Sequence, residues 1–269
     1  MNLKYILRRF TFAFELRGTF SQLLFLYNEL IGLLFKKTPT GVQQITWKGP
    51  NGDLKISYYD AITCFRDEVL DKKLYDLSFD KSKKLLILDI GANQGFFTIY
   101  MKYNYPNSII YAYEPMHMSH MVLQKNIDDN KFANVFAYNS GVFSKSGYYE
   151  MKHCVDGAGL GDTMIACEGN ETFDSYGVGM LNIDKDMQEL PKFDLIKIDA
   201  EGTEYDMIKN MNFWKNTDIL IIEFHDDFRS KDDKFNYIKA IEDNDFMCAR
   251  VVEDGSAKVM YFKKIIIIK

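Results

Sequence analysis

Leu85-Leu86-Ile87-Leu88-Asp89-Ile90-Gly91-Ala92-Asn93-Gln94-Gly95-Phe96-Phe97-Thr98 is the stretch on which the fold turns. It opens on an unbroken apolar run, the pattern of a parallel strand covered on both faces rather than the alternation of a half-exposed one. An acid ends the run, and Gly91 and Gly95 then bracket a short turn into a helix-compatible segment from about Gly95 to Tyr103. Strand, glycine turn and helix in that order form the first unit of a doubly wound α/β sheet.

The unit repeats downstream. Ser108 to Pro115 reads as a second strand, Ser119 to Asn130 as a helix and Val135 to Asn139 as a third strand. Phe193 to Asp199 and Asp218 to Phe224 are the fourth and fifth, with a helix at about Thr203 to Asn212 between them and another near Lys234 to Asp243. Met247 to Val252 and Lys258 to Lys263 flank Glu253-Asp254-Gly255-Ser256 and predict a closing antiparallel hairpin. Residues 145–190, rich in glycine and acids, read as a long irregular segment, a lid over the substrate with His153 as a contact.

Upstream, residues 1–80 read as an N-terminal helical segment and hairpin extension, and 81–269 as the catalytic domain. Gly49-Pro50-Asn51-Gly52-Asp53 is a strong turn between Gln44–Trp47 and Leu54–Tyr59. The apolar run Leu23 to Phe35 is interrupted by Asn28 and Glu29 and is too short for a membrane span, which needs about 20 residues. An amphipathic helix packed on the domain or on a second copy is one reading of residues 1–37. Peripheral membrane contact, with Arg8, Arg9, Arg17, Lys36 and Lys37 near lipid headgroups, is the other.

A hydrophobic share of 47%, with 15% aromatic residues, fills a sizeable core and argues against disorder. A formal charge of −5 argues against a nucleic-acid partner. The four cysteines form no CxxC pair, so they read as isolated thiols of a cytoplasmic protein.

The turn Gly91-x-x-x-Gly95 lets the backbone pass close to a ligand but does not spell GxGxxG, so a pyrophosphate cradle is disfavoured. Asp89 ends a central strand beside the crevice and suits a cation, such as the ammonium and sulfonium of S-adenosyl-L-methionine. Glu114 ends the next strand, where a carboxylate accepts bonds from ribose hydroxyls. Alone, either acid reads equally well as a helix cap or an ion-pair partner.

Together, Leu88 to Thr98, Ala112-Tyr113-Glu114-Pro115 and Lys197-Ile198-Asp199-Ala200-Glu201-Gly202-Thr203-Glu204 resemble the FkbM-type S-adenosylmethionine-dependent methyltransferases. The resemblance runs from about Leu85 to His225. It implies a Rossmann-like class I methyltransferase with a mostly parallel seven-stranded sheet, and methylation of a hydroxyl on a sugar, glycan or small metabolite. It also implies cofactor contacts at Asp89, Gly91, Ala92, Asn93, Gly95, Phe96, Glu114 and Pro115, with Ser140 near the adenine by position.

The reacting end collects at the fourth and fifth strands. Lys197 and Asp199 are two apart, hence on one strand face. An apolar strand leaves Lys197 needing a charged partner, so it is either an ion-pair strut or a catalytic lysine. Transfer to a hydroxyl needs a base, for which His225 stands out by its ordinary pKa and Asp199 by its motif, with Glu223 beside them. Alternatively Asp199, Glu223 and Asp226 hold Mg²⁺, which would acidify the hydroxyl. A nicotinamide-dependent oxidoreductase and a non-catalytic nucleoside-binding scaffold are the rival readings.

Overall fold

The computed structural model describes residues 11–35, 41–59, 65, 69–70, 73–153, 162–163, 174–186, 191–225, 235–254 and 257–265. Its centre is a seven-stranded sheet built from β3 (Leu86–Ile90), β4 (Ile109–Tyr113), β5 (Val135–Tyr138), β10 (Phe193–Ile198), β11 (Thr217–His225), β12 (Phe246–Asp254) and β13 (Ala257–Lys264). The strand order is β5-β4-β3-β10-β11-β13-β12. The first five run parallel, and β13 and β12 close the sheet as an antiparallel hairpin. The predicted α/β class and closing hairpin are both present, with strand ends displaced by at most two residues from the sequence reading.

The order reverses between β3 and β10, so the crevice at the carboxyl ends of these two strands is the ligand position of an open α/β sheet. Each strand has an apolar residue on both faces, and two cores form. On one side α2 (Phe96–Asn104) and α3 (His117–Asp129) lie against the sheet, with Ile87, Phe97, Ile99, Leu195, Ile221 and Tyr261 in one cluster. On the other, α5 (Glu204–Asn210) and α6 (Tyr237–Glu242) bury Leu88, Ile196, Leu220, Phe224 and Trp214.

The N-terminal extension belongs to the first of these cores. A short 3₁₀ turn (Phe12–Glu15) leads into α1 (Thr19–Phe35), and β1 (Gln43–Gly49) pairs with β2 (Gly52–Tyr58) as the expected hairpin. Phe12, Leu16, Phe25, Ile45, Trp47 and Ile56 join the cluster that holds Ile87 and Phe97. Burial stabilises each such side chain by about 1.5–3 kcal/mol. Polar contacts fix the position: buried Asn126 on α3 accepts Ser57 N–H at 2.6 Å and donates to the carbonyls of Ser57 (2.9 Å) and Gln94 (2.8 Å). Gln94 Oε1 in turn accepts Tyr59 N–H at 2.9 Å. The hairpin is thereby bonded directly to the glycine turn.

Residues 145–190 differ from the irregular lid that composition suggests. Where described, they form strands β7 (Gly147–His153), β8 (Asp162–Thr163) and β9 (Asp174–Leu181), which with β6 (Gly141–Val142) make a second sheet in the order β6-β9-β7-β8. A four-residue helix, α4 (Ile183–Asp186), follows. Ser140 Oγ donates to Gly179 O at 2.9 Å and pins this sheet to the end of β5. The glycines at 157, 159 and 161, Asp156 and the His153 side chain lie outside the described residues.

Gly91 has φ +72°, and a Cβ there would stand 1.6 Å from the Asp199 carbonyl oxygen. Gly18 has a similar φ of +80° but open space around it. Gly18→Ala is therefore expected to cost only left-handed strain, about 1–2 kcal/mol. Gly91→Ala adds a backbone clash and should cost at least about 3 kcal/mol. Urea denaturation of the two variants checks this, and equal losses would refute the close approach.

Candidate active site

Strand periodicity assembles the site. Asp89 on β3 is opposite Lys197 on β10, and residues two further on, Asp199 beyond β10 and Glu223 and His225 on β11, continue along the same sheet face. The intervening Ile198 and Phe224 point the other way into the second core. One face of three neighbouring strands thus delivers its charges to the switch-point crevice.

Lys197 is the innermost. Its ammonium lies 3.5 Å from Asp89 Oδ1 and 3.2 Å from Asp199 Oδ2, and donates to the Gly91 carbonyl at 3.0 Å. Burial lowers the ammonium's pKa, but Asp199, Asp89 and Glu223 outweigh it and hold the group above its ordinary value. Asp89 is wholly buried and also accepts Thr98 Oγ1–H at 2.5 Å from α2. Of the two sequence readings of Lys197, the strut is the one the geometry displays. Both side chains are inside, Lys197 at 5% and Asp89 at 0% exposure, so neither reaches the open crevice.

Asp199 and its loop line the crevice. Asp199 N–H donates to Ile90 O, Glu201 takes a left-handed φ of +49°, and Gly202 has φ +101°. Fully buried Glu204 secures this loop, accepting Gly202 N–H at 2.8 Å and Ala200 N–H at 3.1 Å. Its Oε1 also lies 2.9 Å from His225 Nδ1. Non-glycine residues in that conformation store strain of about 1–3 kcal/mol, which the Glu204 bonds offset.

His225 is surrounded by acids: Nε2 is 3.4 Å from Glu201 Oε2 and 3.9 Å from Asp199 Oδ1 and Glu223 Oε1. Burial pushes the imidazole's pKa down, but the bond and charge of Glu204, then Glu201 and Asp199, raise it to about 10. A ring protonated at neutral pH has no lone pair for a substrate proton. The geometry therefore favours an ion-pair role for His225 over that of general base, through neighbours that come from other segments, Asp199 and Glu201 in the loop and Glu204 on α5.

The Mg²⁺ expectation also changes. Asp226 lies outside the described residues. Among the described residues, the donors that converge are Asp199, Glu201 and His225, within 4.8 Å of one another. One donor is an imidazole nitrogen and the Lys197 ammonium already sits on Asp199. Such a set does not fit the octahedral oxygen shell that Mg²⁺ demands.

Around the glycine turn, Glu114 is 6% exposed; its Oε2 accepts Asn93 N–H at 2.7 Å and its Oε1 accepts Met116 N–H at 2.8 Å. The two backbone donors fix the carboxylate's position at the end of β4. Asn93 has φ +49°, and its side-chain oxygen accepts from Ser119 Oγ at 3.2 Å, while Ser119 also contacts Tyr59 Oη at 3.0 Å. Gly91 and Ala92 N–H both donate to Tyr113 O, and Gly95 N–H to Ala92 O. Ala92 packs with Ala112 and Leu123, and the Phe96 ring sits edge-on to Phe65. Pro115 is half-buried beside Gly141, and the Ser140 hydroxyl proton is committed to Gly179.

Glu201 and Glu204 stood in the motif, but their roles did not, because only the fold shows which acid faces His225. Tyr59 and Gln94 carried no chemical signal at all; packing of the hairpin brings Tyr59 to the turn.

Compared with known proteins, residues 89–251 match the model of the methyltransferase FkbM domain. Methyltransferase sdnD of Sordaria araneosa is 26% identical, over 63% of this chain and 78% of its own. Methyltransferase 1 of Beauveria bassiana is 25% identical, over 59% and 72%. A solved structure of methyltransferase FkbM from Methylobacillus flagellatus aligns with TM-score 0.45 and 14% identity, covering 96% of this chain and 59% of that one.

Removing the Lys197 charge leaves the buried Asp89 carboxylate without its cation, so Lys197→Met should lose about 3–5 kcal/mol in urea denaturation, and adding Asp89→Asn should recover part of it. His225 gives a pH signature. Its pKa rises from 6.5 to about 10 on folding, so its contribution is complete below pH 6.5 and declines as pH rises through about 10. The stability gap between wild type and His225→Asn should therefore be widest at acid pH and narrow steadily toward pH 10; a gap that widens with pH would contradict the imidazolium.

Proposed function

The chain belongs to the FkbM methyltransferase family, and on that premise we propose that it moves the methyl group of S-adenosylmethionine to a hydroxyl oxygen of a sugar or small metabolite. Family membership removes the nicotinamide oxidoreductase alternative. The observation that carries the cofactor reading is the charge of the crevice: among the described residues, the partly exposed Asp199, Glu201 and Glu223 line it around one cation, His225, above the buried Lys197–Asp89 contact. An anionic crevice favours a ligand bearing sulfonium and ammonium groups and disfavours a pyrophosphate.

The residues present fit an adenosyl ligand. Glu114, positioned by two backbone N–H groups at the end of the strand beside the glycine turn, stands where a carboxylate takes the ribose hydroxyls. When bound, S-adenosylmethionine supplies an electrophilic methyl carbon on a sulfonium leaving group. Asp199, 24% exposed and the first acid beyond β10, accepts the proton that the acceptor hydroxyl gives up as its oxygen bonds the methyl carbon and the carbon–sulfur bond breaks. Lys197 and the His225 imidazolium keep Asp199 oriented; they act through it and are positioning residues. An acidic whole-chain balance supports a small acceptor over nucleic acid.

Titration calorimetry with S-adenosylhomocysteine, followed by turnover on a panel of hydroxylated acceptors, tests this. Asp199→Asn should bind the cofactor product within about threefold of wild type and lose about 10²–10⁴-fold in kcat. Glu114→Gln should weaken cofactor affinity by about tenfold or more, with kcat less affected. Chelator treatment should change neither quantity. Full turnover by Asp199→Asn would remove it from the reacting end, and absence of S-adenosylhomocysteine binding would overturn the cofactor.

A further inference from the structure

The N-terminal helix leaves apolar groups on both of its faces. Ser21 and Phe25, four apart, face inward, with Phe25 fully buried against Phe12 at a ring-centroid distance of 5.2 Å. Phe20, Leu23 and Tyr27, at i, i+3 and i+7, form the opposite stripe and are 75%, 60% and 62% exposed. Phe14, in the preceding turn, adds another aromatic ring at 76% exposure. Single exposed apolar side chains are common, but four within fourteen residues, without a charge between Phe20 and Tyr27, make a surface that water solvates poorly.

Charge selects the occupant. Residues 1–40 carry six basic groups (Lys4, Arg8, Arg9, Arg17, Lys36, Lys37) against two acids (Glu15, Glu29). That leaves 27 of the chain's 33 Lys and Arg against 36 of its 38 Asp and Glu in the remainder. In sequence, the basic surplus therefore sits in the segment that carries the apolar stripe, on an otherwise acidic protein; of these groups Arg17 is within the described residues and pairs with Asp53 at 3.1 Å, and the other five flank them in the chain. A second copy docking through a two-fold axis would bring this positive segment against itself. An anionic bilayer suits both features, an exposed apolar stripe and a basic surplus in the same stretch of sequence. No described helix is long and apolar enough to cross a membrane, and α1 with 17 residues is of a length to lie in the interface.

We propose that the outer face of α1, Phe20, Leu23 and Tyr27 together with Phe14, docks this protein on an anionic membrane surface. The proposal stands independently of the cofactor and acceptor. The inner face of α1 is already packed on the domain core, so docking needs no unfolding and brings the whole molecule to the lipid.

The test is flotation of the full chain with vesicles of phosphatidylcholine alone and of phosphatidylcholine mixed with phosphatidylglycerol, with and without added salt, beside sedimentation equilibrium without lipid. Binding to the anionic vesicles, at least about tenfold stronger than to neutral ones and weakened by salt, is expected. Phe20→Ser combined with Leu23→Ser and Tyr27→Ser should abolish it while leaving the melting temperature and S-adenosylhomocysteine affinity unchanged. If the triple variant misfolds, the lipid and salt dependence of the wild type alone decides. Failure to float with anionic vesicles, or equal flotation with neutral ones, overturns the proposal. So does a dimer that the triple variant dissociates while the wild type ignores lipid, which would assign the face to a second copy.

Discussion

Lys197 stands in the interior between Asp89, Asp199 and the carbonyl of Gly91, and the crevice is built around that contact. The two strands on either side of the switch point pair in register, and the ammonium adds a side-chain bond between their carboxyl ends. It does so at the cost of desolvation, which the three nearby carboxylates offset. Gly91 completes the junction from the other side, since the Asp199 carbonyl occupies the place a side chain would need. The glycine turn and the loop after β10 are in effect one piece of structure, and neither is free to move without the other.

A second cation, His225, is fixed by the same means but performs a different task. Glu204 spends one oxygen on the imidazole and both on the backbone of the loop that carries Asp199 and Glu201. The arrangement binds β11 to that loop and keeps three carboxylates from repelling one another at close range. The crevice so formed has its positive charges built from side chains, inside a net negative rim. This is why, among the described residues, an oxygen-only metal set does not come together.

Much of this architecture was legible in the sequence. Leu85 to Asp89 is a continuous apolar run ending in an acid, and Phe193 to Asp199 is a mostly apolar one interrupted by Asp194 and Lys197; such runs have few alternatives to buried parallel strands. The acids at their ends marked the crevice because strand polarity fixes where ligands sit. What stayed hidden depends on contacts between distant segments. Gly91 looked like room for a ligand and is room for the Asp199 backbone. His225 looked like a base because its ordinary pKa says so, and Glu204 cannot be assigned to it from spacing. Residues 147–153 pair with 174–181, but the intervening glycines and acids disguised the alternation of the two strands. The hairpin at residues 43–58 was visible as a hairpin, whereas its bond through Tyr59 to Gln94 was not.

The same long-range closures set the order in which the molecule can be made. Ser57 waits for Asn126, 69 residues further along, and the buried Tyr261 hydroxyl donates at 2.6 Å to the carbonyl of Leu74, 187 residues earlier. The core beneath the N-terminal helix includes Val259 and Tyr261 from the final strand. The inner face of the N-terminal helix therefore has its full cover only once the final strand of the sheet is in place, so loss of that strand would expose Phe25 and Phe12 far from the break.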